Sequence, residues 1–219
     1  MVSSGAAGRV RKHPEERRAE ILDEAARLAL AEGLERITLR AVAAGLGVRP
    51  GLISHYFPAA EDLVVAAFAR AADGERAAIL GSTGSGDPLG RMARFIARIE
   101  RGYGDELACL WLNARHLARF LPGLADALER QEARDRDRMV ALIEAGNAAG
   151  DFHAPDPLAA CVRIFMAADG YGVYVNNPEP FDVDAYTHFV ADVAEWALGV
   201  APGVLRSRAV DMPEVDVVS

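Results

Sequence analysis

The 219-residue sequence has no apolar run long enough to span a membrane. Its opening stretch, MVSSGAAGRVRKHPEERR, has no apolar core of the kind a secretory leader carries. Both absences point to a cytoplasmic protein that does not partner a membrane. There are only two cysteines, Cys109 and Cys161, far apart in apolar segments. They read as buried free thiols and exclude a disulfide framework. The five histidines (His13, His55, His116, His153 and His188) show no metal-ligand spacing with either cysteine, so no metal site is predicted. There is no G-x-S-x-G elbow, no Walker A loop and no G-x-G-x-x-G. GSTGSG, at 81–86, has the wrong spacing and no lysine after it. The sequence therefore offers no catalytic residues, no enzyme class and no cofactor. Strand-like alternation and internal repeats are missing as well.

Half of the chain is apolar (51%), enough to bury a sizeable core and to exclude global disorder. The formal charge of −8 looks unsuited to nucleic acid, but it is unevenly spread. Residues 1–70 hold ten Lys/Arg and nine Asp/Glu, a balance of +1. The remainder holds fourteen basic and twenty-three acidic residues, a balance of −9. Arg9, Arg11, Lys12, Arg17 and Arg18 cluster at the start. An acidic body with a basic end can bind phosphate locally, although such a cluster also suits a solvated tail.

The apolar periodicity is helical throughout, which predicts an all-α fold of about nine helices. Ile21, Leu22, Ala25, Leu28 and Ala29 mark a helix over 14–32, opened by Pro14 and closed by Gly33. Thr38 caps a second helix that carries Leu39, Val42 and Ala43 inward and ends at Gly45. Leu46-Gly47-Val48 makes a tight turn, and Pro50 opens a third helix that Pro58 ends. A long helix follows over 60–80, and the small residues of 81–88 form a flexible joint. Further helices are expected near 89–102, 106–120, 122–150, 157–175 and 183–198. The expected organisation is a flexible basic arm at 1–13, a three-helix unit at 14–58, a larger helical unit at 59–201, and a disordered tail at 202–219.

Two short helices joined by a tight turn, with another packed behind them, suit a helix-turn-helix; an ordinary helical hairpin has the same outline. In the DNA-reading case, Gly51 lets the backbone approach the duplex. Arg49 can reach guanine or phosphate, and Tyr56 can bury its ring while offering its hydroxyl to phosphate.

Residues 15–70 resemble the DNA-binding domain of the TetR family of bacterial regulators. The segments that carry the likeness are ILDEAARLALAEGLERITLRAVAAGLGV, then ISHYF, then EDLVVAAF. ISHYF is similar in particular to the betaine-regulator branch. LERQEARDRDRMVALIEAGNAAGDF and DPLAACVRIFMAADGYGV resemble two helices of that branch's regulatory domain, so the likeness covers about residues 14–200. It implies that Thr38 contacts phosphate and that Arg40 contacts phosphate or a base. It implies that Gly51, Ser54 and His55 face the groove, that Tyr56 binds phosphate, and that Phe57 locks the third helix to the core. Two positions depart from the family. Arg49 stands where a capping Ser or Thr is usual, and Ala60 where a lysine is usual.

The resemblance also implies a pocket enclosed by the helices of 60–175. On the helix over 106–120, Cys109, Leu112, Asn113, His116 and Phe120 share one face by spacing. Phe165, Met166 and Asp169 do so further on, with Tyr171 and Tyr174 beyond them. Candidate ligand contacts are Asn113, His116, Phe120, Phe165, Asp169 and Tyr174. Their chemistry suits either an apolar or aromatic effector or a cationic amine held by Asp169 and aromatic rings. Phe189, Val193, Trp196 and Val200 form an apolar stripe. The resemblance implies that the helix carrying this stripe and the one over 157–175 form a dimer interface, a four-helix bundle of two copies that would present two reading helices to a palindromic operator. The sequence reading is a repressor released from double-stranded DNA by a small molecule. The alternatives are a helical adaptor that binds only protein and, ranked behind it, an enzyme.

Overall fold

In the computed structural model, residues 13–80, 87–101, 105–175 and 183–210 are described. Among them are eleven α-helices, one 3-10 turn and no strand. The all-α expectation holds. The basic arm (Arg9, Arg11, Lys12), most of the 81–88 joint and residues 211–219 lie outside the described residues.

The first three helices follow their sequence signals closely. α1 (Pro14–Glu32) starts at its proline, with Glu15 and Glu16 in the first turn, where negative charge suits the helix dipole. The His13 backbone N–H donates to the Glu16 carboxylate at 3.1 Å. α1 buries Ile21, Ala25, Leu28 and Ala29 and ends at Gly33, whose φ of +97° only glycine adopts freely. The 3-10 turn Leu34–Arg36 leads to α2 (Leu39–Gly45), whose N-cap Thr38 accepts from Ala41 N at 3.0 Å. Gly47, at φ +62°, turns the chain into α3 (Pro50–Tyr56).

α4 (Ala60–Leu80) packs along α1 and α7. α5 (Pro88–Glu100) is capped by Asp87, which accepts from Gly90 N at 3.0 Å. α6 (Asp105–Leu117) is followed by a turn and by the 28-residue α7 (Pro122–Ala149). α7 closes on Gly150 in the left-handed region, and the Asn147 carboxamide both donates to Ala154 O and accepts from Ala154 N. This return presses Phe152 onto Gly146. A Cβ at Gly146 would lie 2.0 Å from the phenyl ring, so only glycine fits. α8 (Pro157–Val175) begins with Asp156 accepting from Ala159 N.

Two expectations fail in the last part of the chain. The single helix expected over 183–198 is broken at His188 into α9 (Asp184–Thr187) and α10 (Phe189–Leu198). The tail expected to be disordered from 202 instead forms α11 (Val204–Val210), with Leu205 and Ala209 buried. The buried Glu195 carboxylate holds it, accepting from Gly203 N at 2.7 Å and Leu205 N at 2.9 Å. At its other end Arg208 Nε donates to Asp87 at 3.1 Å.

The buried residues form two cores. The first takes in α1–α3 and Leu63, Ala67 and Phe68 of α4, together with Leu110 and Ala114 of α6 and Leu124 and Ala127 of α7. The second joins α5, the far half of α7, α8, α10 and α11. Cys161 lies within it, and burial pushes its thiol up to about 11, so it is an inert packed group, as expected for a buried thiol. Cys109, expected to be buried too, is exposed. Among the described residues no helix is long and apolar enough to cross a membrane.

Candidate functional site

The residues singled out for DNA share one edge of α2, the turn and α3. Thr38, Arg40, Arg49, Gly51, Ser54 and His55 are exposed, and Tyr56 is half-buried. The geometry behind this edge is fixed from within. Ile53 and Phe57 are buried, which turns Ser54 and His55 outward by helix periodicity. The Arg18 guanidinium stacks over the Phe57 ring at 4.9 Å, so the locking residue is clamped from α1. Tyr56 packs its ring against the first core and meets the His55 ring edge-on at 5.3 Å. Arg49 is the N-cap of α3 but caps nothing with its side chain, which leaves the guanidinium at the surface. The Ser54 hydroxyl donates to Gly51 O at 3.2 Å and must turn away from that carbonyl to reach DNA. Space around Gly51 is open, as a closely approaching duplex would need.

The six ligand candidates do not surround one cavity. α6 carries two apolar stripes, and the one that wins the interior is Leu107, Leu110, Trp111, Ala114 and Leu117, facing the first core. The face with Cys109, Leu112 and His116 is therefore turned outward. Asn113 points elsewhere. It is half-buried, and its carboxamide oxygen accepts from Leu34 N at 2.6 Å, tying α6 to the 3-10 turn. Phe120 lies beyond the end of α6, in the turn that precedes Pro122, and is 65% exposed. It meets His116 edge-on at 5.7 Å. The shared face expected for these residues is thus corrected: sequence spacing could not tell which stripe the first core would claim.

On α8, Phe165 packs inward against Phe95, while Asp169 and Tyr174 are exposed. Asp169 is ion-paired with Arg115 at 2.9 Å, and the same guanidinium reaches Glu132 at 3.2 Å and lies 5.6 Å from the Trp111 ring centroid. Arg115 thus joins α6, α7 and α8. Its interest was not visible in the sequence, because its partners lie 17 and 54 residues away. Among the described residues no three His, Cys, Asp or Glu side chains cluster as a metal ion would need.

Among the described residues, most of the exposed large apolar side chains lie on α8 and α10. Leu158, Val162, Met166 and Val173 line the outer face of α8, and Phe189 and Trp196 that of α10. Met166 and Trp196 are 69% and 68% exposed. Of the α10 stripe expected at an interface, Phe189 and Trp196 face outward, whereas Val193 and Val200 are half-buried against the chain's own second core. The helix over 157–175 was expected at that interface too, but its outer row was not singled out for it, although Leu158, Val162 and Met166 recur every four positions. Arg163 of α8 stacks on the Trp196 ring at 4.9 Å, holding the indole flat beside the α8 row.

Residues 21–67 match the sequence profile of bacterial regulatory proteins, tetR family. The chain therefore carries a TetR-type DNA-binding domain, and the matched span holds all seven DNA-contact candidates. Comparison with curated proteins gave no match. Several solved structures share the fold. A protein described as a TetR-family transcriptional regulator from Rhodococcus sp. is 24% identical, with 84% of this chain and 99% of that one covered at a TM-score of 0.69. A TetR transcriptional regulator from Chloroflexus aurantiacus is 20% identical over 83% of this chain and 94% of that one, at 0.66. A protein from Saccharomonospora viridis, described as a transcriptional regulator and solved in complex with choline, is 22% identical over 83% and 96%, at 0.67. The architecture is that of TetR regulators.

Proposed function

We propose that the chain is a ligand-responsive repressor that binds a palindromic operator as a homodimer in the cytoplasm and is released by a small molecule. The observation that carries this reading is the exposed polar edge of α2 and α3 within the matched domain. In it, Arg40 and Arg49 supply charge, Thr38 and Tyr56 supply hydroxyls, and Gly51, Ser54 and His55 meet the groove. The proposed division is a basic arm at 1–13, a reading unit at 14–58 and a regulatory unit from 59 onward. α11 extends the last of these beyond residue 201.

The dimer is proposed through α8 and α10. Phe189 and Trp196 would meet a second copy, together with the outer row of α8, with Val193 and Val200 backing them from the second core. A contiguous exposed apolar face of this kind is costly to leave in water and fits an isologous contact. A two-fold axis there presents two copies of α3, which read two half-sites when they sit roughly 34 Å apart.

The effector is proposed to bind at the α6–α8 seam around Asp169, with the exposed His116, Phe120 and Tyr174 as further candidate contacts; Asn113 and Phe165 are engaged by the chain's own interior. A cationic amine is favoured over a neutral aromatic compound. Trp111, Glu132 and Asp169 already hold a cation there, the Arg115 guanidinium, and an amine would compete for the same ring and carboxylates. The choline bound to the S. viridis relative supports that class. Weakening operator binding a hundredfold needs only ~2.7 kcal/mol of differential affinity between two states. The test begins with selection of bound sequences from a random DNA pool, followed by anisotropy titrations at several salt concentrations. A salt-dependent, sequence-selective isotherm is expected. Binding no tighter than to random DNA would favour the protein adaptor instead.

A further inference from the structure

α10 begins on a carboxylate that belongs to α5. Glu100, the last residue of α5, accepts from the Ala191 backbone N–H at 2.8 Å, in the first turn of α10. Its second oxygen lies 3.9 Å from His188 Nδ1. The Glu100 side chain is only 10% exposed, and that histidine nitrogen is buried without a hydrogen-bond partner. The other titratable or charged groups around the pair come from four helices. The Tyr171 hydroxyl of α8 donates to Glu100 O at 3.2 Å, and Tyr186 of α9 stacks on the Tyr171 ring at 4.9 Å. Asp192 of α10 and Arg206 of α11 pair with each other at 3.7 Å, so their effects on Glu100 oppose.

At 3.9 Å the nitrogen and the carboxylate are too far apart for a hydrogen bond, yet nothing else satisfies the nitrogen. A neutral imidazole can offer only one N–H, whereas a protonated one donates from both nitrogens. One proton taken up from water would give this site both a donor and a positive charge. We propose that Glu100 and His188 form a proton-operated latch at the root of α10. On protonation, His188 Nδ1–H donates to Glu100 and draws the first turn of α10 onto the end of α5. Imidazole is the side chain whose charge ordinarily changes near neutrality. Burial pushes the Glu100 carboxyl up from its ordinary range, against the opposing pull of the Ala191 N–H and the His188 charge. The latch therefore works in a window that closes on the acid side earlier than an exposed glutamate would allow. Phe189 follows His188 directly, so the latch also sets a residue of the proposed dimer face. That consequence rests on the dimer reading, whereas the latch itself lies within one protomer.

The test is hydrogen–deuterium exchange of the full chain between pH 8 and 6, corrected for the intrinsic pH dependence of exchange and read on peptides covering 189–198. Opening of the first turn of α10 should become about fivefold rarer as pH falls, the scale of one partly buried ion pair. The change should vanish in His188→Gln and in Glu100→Gln. The glutamine at 100 still accepts from Ala191 N, and His188 is more than a third exposed, so both variants keep the fold. In the Trp196→Glu background the pH effect should persist whether or not that variant dimerises. A pH-independent wild type, an undiminished effect in His188→Gln, or its loss in Trp196→Glu would each overturn the latch.

Discussion

Replacing Asn113 with alanine removes a single acceptor from a place where water has little access. Leu34 is fully buried, and its backbone N–H opens the 3-10 turn just after the positive-φ Gly33, so no preceding helical carbonyl serves it. The Asn113 oxygen at 2.6 Å is its partner. Leaving a buried donor unsatisfied costs about 1–3 kcal/mol. Taking 2 kcal/mol as the centre, a chain of this length should lose roughly 4–8 °C in Tm, at about 2–4 °C per kcal/mol. For comparison, breaking the half-exposed Arg115–Asp169 pair should cost no more than ~1 kcal/mol. Asn113→Asp separates the hydrogen bond from the change in volume, because a carboxylate oxygen still accepts. It should recover more than half of the loss. Thermal unfolding reads the global cost, and amide exchange at Leu34 reads the local one. The Leu34 amide should exchange faster in the alanine variant and near the wild-type rate in the aspartate variant. If Asn113→Ala melts within 1 °C of wild type with an equally protected Leu34 amide, the bond does not tie α6 to the turn and the argument fails.

Three further outcomes are expected. Tyr56→Phe should weaken binding to all DNA sequences alike, since a phosphate contact carries no base information, whereas Arg49→Ala should change preference at one operator position if it reads a base; titration against a small operator library separates the two. Trp196→Glu should set a charge on the exposed α10 face and shift the protein to monomer, and a variant that stays dimeric by light scattering would refute the proposed interface. Arg208→Ala should matter only where Asp87 is ionised. The Arg208 guanidinium and the Gly90 N–H hold that carboxyl below its usual range, so its contribution is present above the ordinary aspartate pKa and is lost as pH falls through the lowered one. Denaturant titrations should show a deficit of no more than ~1 kcal/mol near neutrality, vanishing in strong acid.

The helix-turn-helix was legible because its signals are local. Pro14, Gly33, Thr38, Gly47 and Pro50 each act within a few residues, and α1 and α2 begin and end within a residue of the positions these imply. What stayed hidden depends on distant partners. α11 looks like a short polar tail until the Glu195 carboxylate caps it and Asp87, 121 residues from Arg208, grips its far end. The first turn of α10 is likewise held by Glu100, 91 residues from Ala191. On α6 two stripes had comparable spacing, and only the shape of the first core decided between them.

That first core also governs how such a protein can be recombined. Leu63, Ala67 and Phe68 of α4, and Leu110 and Leu124 far downstream, are as fully enclosed as the interior of the helix-turn-helix itself. A cut at residue 58 would run through a continuous apolar interior and strip both faces bare. A head-swapped chimaera that keeps its solubility should therefore carry the first half of α4 with its head and match the α6 and α7 residues beneath it. On the proposed function, point changes on the exposed edge of α3, which leave this interior alone, are the easier route to a new operator.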